Sequence, residues 1–176
     1  MKLRTRFWIL GLLVLSSVIC RAETRYFTHN FHTMSGNGGI TFNIPTNTVG
    51  TTAEVTYTCG NGALFSYDVP HTSNQVAIFL DAAGEEVITS AIQNLDSVRI
   101  YFAPDTKKNI SVSIKEGDGE WMSVTIQKGN GVNAVKMPRV GDYQIRIQQS
   151  DNVYIKEIQY YYIDLSGCPN CFIYKP

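Results

Sequence analysis

Along most of the chain hydrophobic residues recur at every second position. Ile40, Phe42 and Ile44 alternate with Thr41 and Asn43, and Val55, Tyr57 and Cys59 alternate with Thr56 and Thr58. Each set predicts a strand with one buried face and one wet face. The pattern returns at Val76/Ile78/Leu80, Val98/Ile100/Phe102, Ile110/Val112/Ile114, Met122/Val124/Ile126 and Tyr143/Ile145/Ile147. In the last long strand Val153 and Ile155 are in phase, whereas Ile158, Tyr160 and Tyr162 have slipped by one. A β-bulge near Lys156-Glu157 absorbs that slip. Turn formers lie between the runs: Ser35-Gly36-Asn37-Gly38-Gly39, Asn61-Gly62, Ala83-Gly84, Gly117-Asp118-Gly119, Asn130-Gly131 and Gly141-Asp142. Asn-Gly and Asp-Gly readily take the positive φ of tight hairpins. The one stretch with a helical look, Ile88 to Leu95, is short. About ten strands with no helices for parallel crossovers predict an all-β fold, an antiparallel β-sandwich of the jelly-roll type. There is no internal repeat, linker or low-complexity tract, so residues 23–176 read as one domain.

Residues 1–22 stand apart from this alternation. Lys2, Arg4 and Arg6 precede an almost unbroken apolar run from Phe7 to Cys20, and Cys20-Arg21-Ala22 places small residues at the cleavage positions. This is the pattern of a secretory signal peptide. The run is shorter than the roughly 20 residues a membrane-spanning helix needs, so no stable membrane anchor is expected. Acylation at Cys20 is disfavoured by Ile19, which stands where a small residue is required. The expected location is secreted: periplasmic, cell-surface or extracellular.

Removing the leader changes the charge and cysteine arithmetic. The whole chain of 176 residues balances 15 Lys+Arg against 15 Asp+Glu; residues 23–176 hold 11 against 15, a net charge of −4. No basic field is left for a polyanion, and nucleic acid is excluded as an expected partner. Three of the four cysteines remain, Cys59, Cys168 and Cys171. An odd number cannot be fully paired within one chain. Cys168-Pro169-Asn170-Cys171 can close a local disulfide in an oxidising compartment, and this pairing is preferred because Cys59 shares the buried phase of Val55 and Tyr57. The alternative joins Cys59 to one of them across a loop of roughly 110 residues, worth ~4–5 kcal/mol by loop entropy. Redox activity at this C-x-x-C is not expected, because no helix follows to lower a thiol pKa.

From Ile92 onward the order of features is more specific. The run Ile92-Gln93-Asn94-Leu95-Asp96-Ser97-Val98-Arg99-Ile100-Tyr101-Phe102 is followed by Ile110-Ser111-Val112-Ser113-Ile114 and Gly117-Asp118-Gly119-Glu120-Trp121. Then come Met137-Pro138, Tyr143-Gln144-Ile145-Arg146-Ile147 and Val153-Tyr154-Ile155-Lys156-Glu157-Ile158. This succession resembles the carbohydrate-binding-like, galactose-binding-like jelly-roll modules in secreted proteins of polysaccharide-degrading gut bacteria. It covers about 70 of the 154 residues that follow the leader. The resemblance implies a β-sandwich of the kind attached to a lyase, hydrolase or adhesin, with a poly- or oligosaccharide as partner. It also makes a structural calcium ion possible, although no run of oxygen ligands places one. Residues 23–90 carry no such resemblance.

Candidate ligand residues come from the outward phase, where the core does not require the side chain. Arg99 and Tyr101 share such a phase, as do Gln144, Arg146 and Gln148, and Tyr154 lies opposite Val153 and Ile155. Tyr160 and Tyr162 are expected inside, with Tyr161 outside. Aromatic rings interleaved with Arg and Gln stack on sugar faces and hydrogen-bond to hydroxyls. The same residues also fit a plain solvated sheet face with cross-strand pairs. Trp121 has two readings: a core residue beside its hairpin, as in the modules it resembles, or a stacking platform. An enzyme is not expected. Neither G-x-S-x-G nor H-E-x-x-H occurs, and Asp68, Asp81, Asp105, Asp118, Asp142 and Asp151 sit at turns or strand ends, with no spacing that pairs two carboxylates. No catalytic residue is therefore assigned. A weak alternative joins His29, His32, Cys168 and Cys171 in a zinc site between the two ends of the chain; on a straight strand, though, residues three apart face opposite ways. The other function class is a protein-interaction or cell-surface structural module, whose partner is a surface protein met through an exposed sheet edge.

Overall fold

In the computed structural model, residues 22–33, 41–48, 50–66, 77–103, 109–149 and 152–167 are described. Residues 1–21, which hold all but the last residue of the expected signal peptide, the glycine-rich stretch at 35–39, and Cys168 and Cys171 lie outside the described residues. The period-two alternation is realised as β1 (Glu23–Asn30), β2 (Thr41–Pro45), β3 (Glu54–Gly60), β4 (Leu64–Ser66), β5 (Ala77–Leu80), β6 (Glu86–Thr89), β7 (Ile92–Phe102), β8 (Ile110–Glu116), β9 (Met122–Ser123), β10 (Ile126–Lys128), β11 (Val132–Gln149) and β12 (Val153–Asp164). A single 3-10 turn, Phe31–Thr33, follows β1. The fold is an all-β sandwich.

All the pairings are antiparallel, and β11 determines how they form two layers. In its first half Val132 to Lys136 pair with β7 and β10; Gly141 and Tyr143 still pair with Leu95 and Ile92 of β7; in its second half Tyr143 to Gln149 pair with β8, and Arg146 to Gln148 also pair with β6. One layer is therefore β1-β12-β7-β11-β10, and the other is β2-β3-β6-β11-β8-β9. β4 and β5 extend the first layer beyond the start of β12. Pro138 falls between the two halves, where its missing N–H costs no ladder bond. Gly141 is buried at the crossing, and a Cβ there would stand 3.0 Å from the Tyr143 ring and 3.1 Å from Glu116 Oε1.

Three strand expectations need correction. Ile88 to Leu95 is not helical: Ile88 belongs to β6, and Ile92 and Leu95 open β7. Its three-residue spacing comes from register shifts along β7, where Leu95 faces Gly141 but Ile92 faces Tyr143, with Asn94 at φ +53°. The Met122/Val124/Ile126 run is split into β9 and β10, Val124 N–H turning aside to the Val112 carbonyl. Residues 132–136 form strand that alternation did not single out. The slip in β12 is where it was expected, as a register shift between Ile155 and Glu157.

The inward faces interdigitate as one core that includes Leu95, Val98, Ile100, Ile145, Ile147, Ile158 and Tyr160. Burying one such side chain contributes ~1.5–3 kcal/mol. Polar atoms also cross this core. His29 Nδ1 lies 2.7 Å from the Tyr57 hydroxyl, which lies 2.7 Å from the Tyr160 hydroxyl. β1 and β12 are in one layer and β3 in the other, so this chain ties the layers together. Burial lowers His29 to about 4, the Pro45 carbonyl opposing the shift only in part. Burial likewise raises both phenols, Tyr57 further through its neighbour Tyr160. All three groups are neutral near pH 7, and a neutral chain avoids the desolvation cost of a buried charge. Cys59 is a free, buried thiol, pushed up to about 12 by burial and by Glu85.

At one end, Asp164 closes the loop between β2 and β3. Its carboxylate accepts the Ser166 N–H at 2.8 Å and pairs with Arg25 Nε at 2.9 Å. The Ser166 hydrogen bonds and Arg25 hold this carboxyl below its usual range. Gly50 lies against it at φ +86°, where a Cβ would meet Asp164 Oδ1 at 2.5 Å.

Two stability measurements follow. Gly50→Ala combines positive-φ strain with this contact and is expected to cost about 2 kcal/mol or more in urea unfolding. Gly84→Ala, also at positive φ but facing open space, is expected to cost about 1 kcal/mol. Equal losses at the two positions would show that Asp164 does not press on Gly50. The second measurement concerns pH. His29 titrates near 4 when folded and near 6.5 when unfolded, so the unfolded chain takes up the proton first. The difference in stability between wild type and His29→Gln should be constant above about pH 7. As pH falls from 6.5 to 4, wild type should lose up to ~3 kcal/mol relative to the variant, with no further loss below that. A pH-independent difference would contradict a neutral buried imidazole.

Candidate functional site

The outward residues singled out by alternation, together with Trp121, divide between opposite faces of the sandwich. Arg99, Tyr101 and Tyr154 lie on the outer side of the first layer; Gln144, Arg146 and Trp121 lie on that of the second. Alternation shows that a residue points outward but not from which layer, and β11 belongs to both.

On the first layer the ladder register sets the side chains in rows. Tyr26 of β1 pairs with Tyr161 of β12, which pairs with Ser97 of β7. One row on, Thr28, Gln159, Arg99, Ala134 and Gln127 succeed one another across five strands. The next row holds Asn30, Glu157, Tyr101 and Val132. These side chains project from strands packed on the core, which fixes their spacing.

Local contacts fix their orientation further. The Tyr26 and Tyr161 rings lie 5.5 Å apart, tilted by 33°, and the Arg99 guanidinium stands 5.1 Å over the Tyr161 ring. Gln159 Oε1 accepts hydrogen bonds from the Tyr101 hydroxyl at 3.0 Å and the Tyr161 hydroxyl at 3.1 Å, while Gln159 Nε2 donates to Glu157 at 3.0 Å. Tyr26 is 61% exposed, unusually open for a large aromatic ring. Beside Arg99 and Tyr101 a depression of about 320 Å³ is bordered by Gln127, Lys128, Val132 and Ala134. Stacking rings, a cation and amides are thus held ready on one surface.

Tyr154 faces outward but is covered: it is buried and stacks on Phe79, centroids 4.8 Å apart and planes 2° apart, within a small cluster with Ala77 and Ala103. It packs, and its ring is not open to a ligand as expected. Tyr161 lies outside and Tyr160 and Tyr162 inside, as expected. Tyr26 and Gln159 were passed over, although Gln159 shares the phase of Tyr161. The signal for Tyr26 was weak, because β1 has only Phe27 and His29 on its buried face.

On the second layer Trp121 stays out of the core and is half-buried, with the Arg146 guanidinium 4.6 Å and the Lys115 ammonium 5.4 Å from its ring. Gln144 Nε2 reaches the Thr89 carbonyl at 3.4 Å, and Gln148 Nε2 donates to Glu86 at 3.0 Å.

Two of the four residues in the weak zinc alternative lie among the described residues. His29 is enclosed by Phe27, Tyr57 and Tyr160 with Nδ1 taken by Tyr57, His32 lies on the 3-10 turn, and Cys168 and Cys171 are outside the described residues. Among the described residues no three His, Cys, Asp or Glu side chains converge as metal ligands. The two buried carboxylates among the described residues are both engaged with backbone N–H groups, Asp164 with Ser166 and Glu85 with Asp81.

Neither a protein-family model nor a curated protein sequence matches the chain. One similar solved structure, from Ruminococcus flavefaciens, was described in work on how "the complexity of the Ruminococcus flavefaciens cellulosome reflects an expansion in glycan recognition". It has a TM-score of 0.39 at 10% identity, over 80% of this chain and 96% of that one. A likeness this distant carries nothing about ligand or activity.

Proposed function

We propose that the protein is a secreted, non-catalytic glycan-binding module that takes a poly- or oligosaccharide on the outer face of the first layer. The observation that carries this reading is the fixed set of Tyr26, Tyr161, Tyr101, Arg99 and Gln159. Sugars present apolar C–H faces edged by hydroxyls. Tyrosine rings match the faces, and guanidinium and amide groups match the edges. The hydrogen bonds on Gln159 hold the rings before any ligand arrives, which lowers the ordering cost of binding.

A second reading, protein recognition, is favoured by one feature: among the described residues β1 pairs only with β12, leaving an edge beside the exposed Tyr26. Retention on immobilised plant, host and microbial polysaccharides separates the two. The glycan reading expects retention of the wild type and a loss of about tenfold or more in affinity in Tyr161→Ala and in Tyr26→Ala, with melting temperatures little changed. No retention on any glycan class, or retention untouched by both changes, would refute this site.

A further inference from the structure

The outer face of the second layer brings two cations to one ring. Lys115 pairs in register with Gln144, and Arg146 with Ser113, so the cations are diagonal neighbours on adjacent strands. Trp121, just before β9, lies close enough for both to reach it. Among the described residues neither cation makes an ion pair. Arg25, Lys136 and Arg139, by contrast, each have a carboxylate: Asp164, Asp96 and Glu116. Of the carboxylates nearest in sequence or register, Glu116 pairs with Arg139, Glu86 accepts a hydrogen bond from the neutral Gln148 amide, and the exposed Glu120 beside Trp121 pairs with neither cation. Arg146 Nε is buried without a hydrogen-bond partner. Two like charges drawn to one indole repel each other, and the ring quadrupole offsets that only in part. An oxyanion between them would relieve the repulsion through charge-assisted hydrogen bonds.

We propose that Lys115, Arg146 and Trp121 form a second binding site, specific for an anionic group, a carboxylate or a sulfate, carried on an acidic oligosaccharide. The two cations take the anion, the indole holds them in place and offers its free surface to the sugar ring, and Gln144 borders the site. The site rests on the glycan reading only for the class of molecule that carries the anion. It shares no residue with the tyrosine face of the first layer.

Trp121 and the leader's Trp8 are the only two tryptophans, so the indole emission of the leader-free protein reports on this site. The test is a titration followed by that emission and by calorimetry with three probes: an oligogalacturonate, a sulfated oligosaccharide and a neutral oligosaccharide of the same length. Saturable binding of the first or the second, at least ~10-fold tighter than the neutral probe and weakened by raising NaCl from 50 to 500 mM, supports the site. Which acidic probe binds identifies the anion. Arg146→Gln and Lys115→Gln should each lower that affinity by ~10-fold or more, while Tyr161→Ala leaves it unchanged. No binding of either acidic probe, binding that survives both cation changes, or equal binding of the neutral probe overturns the proposal. Failure of the tyrosine face would show instead as neutral-glycan binding untouched by Tyr161→Ala. The two cation variants guard against misfolding in one, since each alters a different strand.

Discussion

The single strand β11, paired first with β7 and β10 and then with β8 and β6, is what makes two layers out of one continuous hydrogen-bonded ladder. Without β8 and β6 beside its second half, Ile145 and Ile147 would project from a strand with no layer around it, and β2 and β3, which reach β11 through β6, would not join the sheet. The crossing needs a residue with no side chain where Tyr143 and Glu116 crowd in, and Gly141 supplies it. Pro138, three residues before it, lies in the stretch where ladder bonds are interrupted, so its missing N–H removes no ladder bond.

Closure brings tyrosines from both layers into the same interior, and there the polar chain His29–Tyr57–Tyr160 forms. His29 Nδ1 and the two hydroxyls satisfy one another, which costs less than burying any of them alone, while His29 Nε2 is left without a partner; the direction of the bonds fixes how the layers sit together. Aromatic packing reinforces this: Phe27 stacks on Tyr160 at 5.0 Å, and Phe42 stacks on Tyr57 at 5.0 Å. The rigidity reaches the outer surface, because every residue of the tyrosine face alternates with one locked inside. Tyr161 stands between Tyr160 and Tyr162, and Arg99 between Val98 and Ile100.

Much of this was legible in the sequence for a plain physical reason: antiparallel strands with one wet face must alternate. The phase of β3, β7, β8, β11 and β12, the slip at Lys156-Glu157, the buried Cys59 and the outward Tyr161 all came from that rule. What it does not encode is long-range partnership. The sequence of β11 alternates in the same phase on both sides of Gly141, so nothing local reveals that Arg146 and Arg99 end on opposite faces. Tyr154 obeyed alternation and was still covered, because a neighbouring strand carried Phe79 to it. Ile92 and Leu95 looked helical because bulges in β7 change a period of two into a spacing of three.

The central claim is that the outward residues form two separate surfaces, with the tyrosine face of the first layer serving neutral glycans. Residue-resolved NMR of a neutral oligosaccharide titration tests it most directly. The account predicts shift changes confined to the neighbourhoods of Tyr26, Arg99, Tyr101 and Gln159 to Tyr161, with amides 113–115 and 144–148 silent. Shifts centred on Trp121 and Arg146, or spread over both faces together, would contradict it.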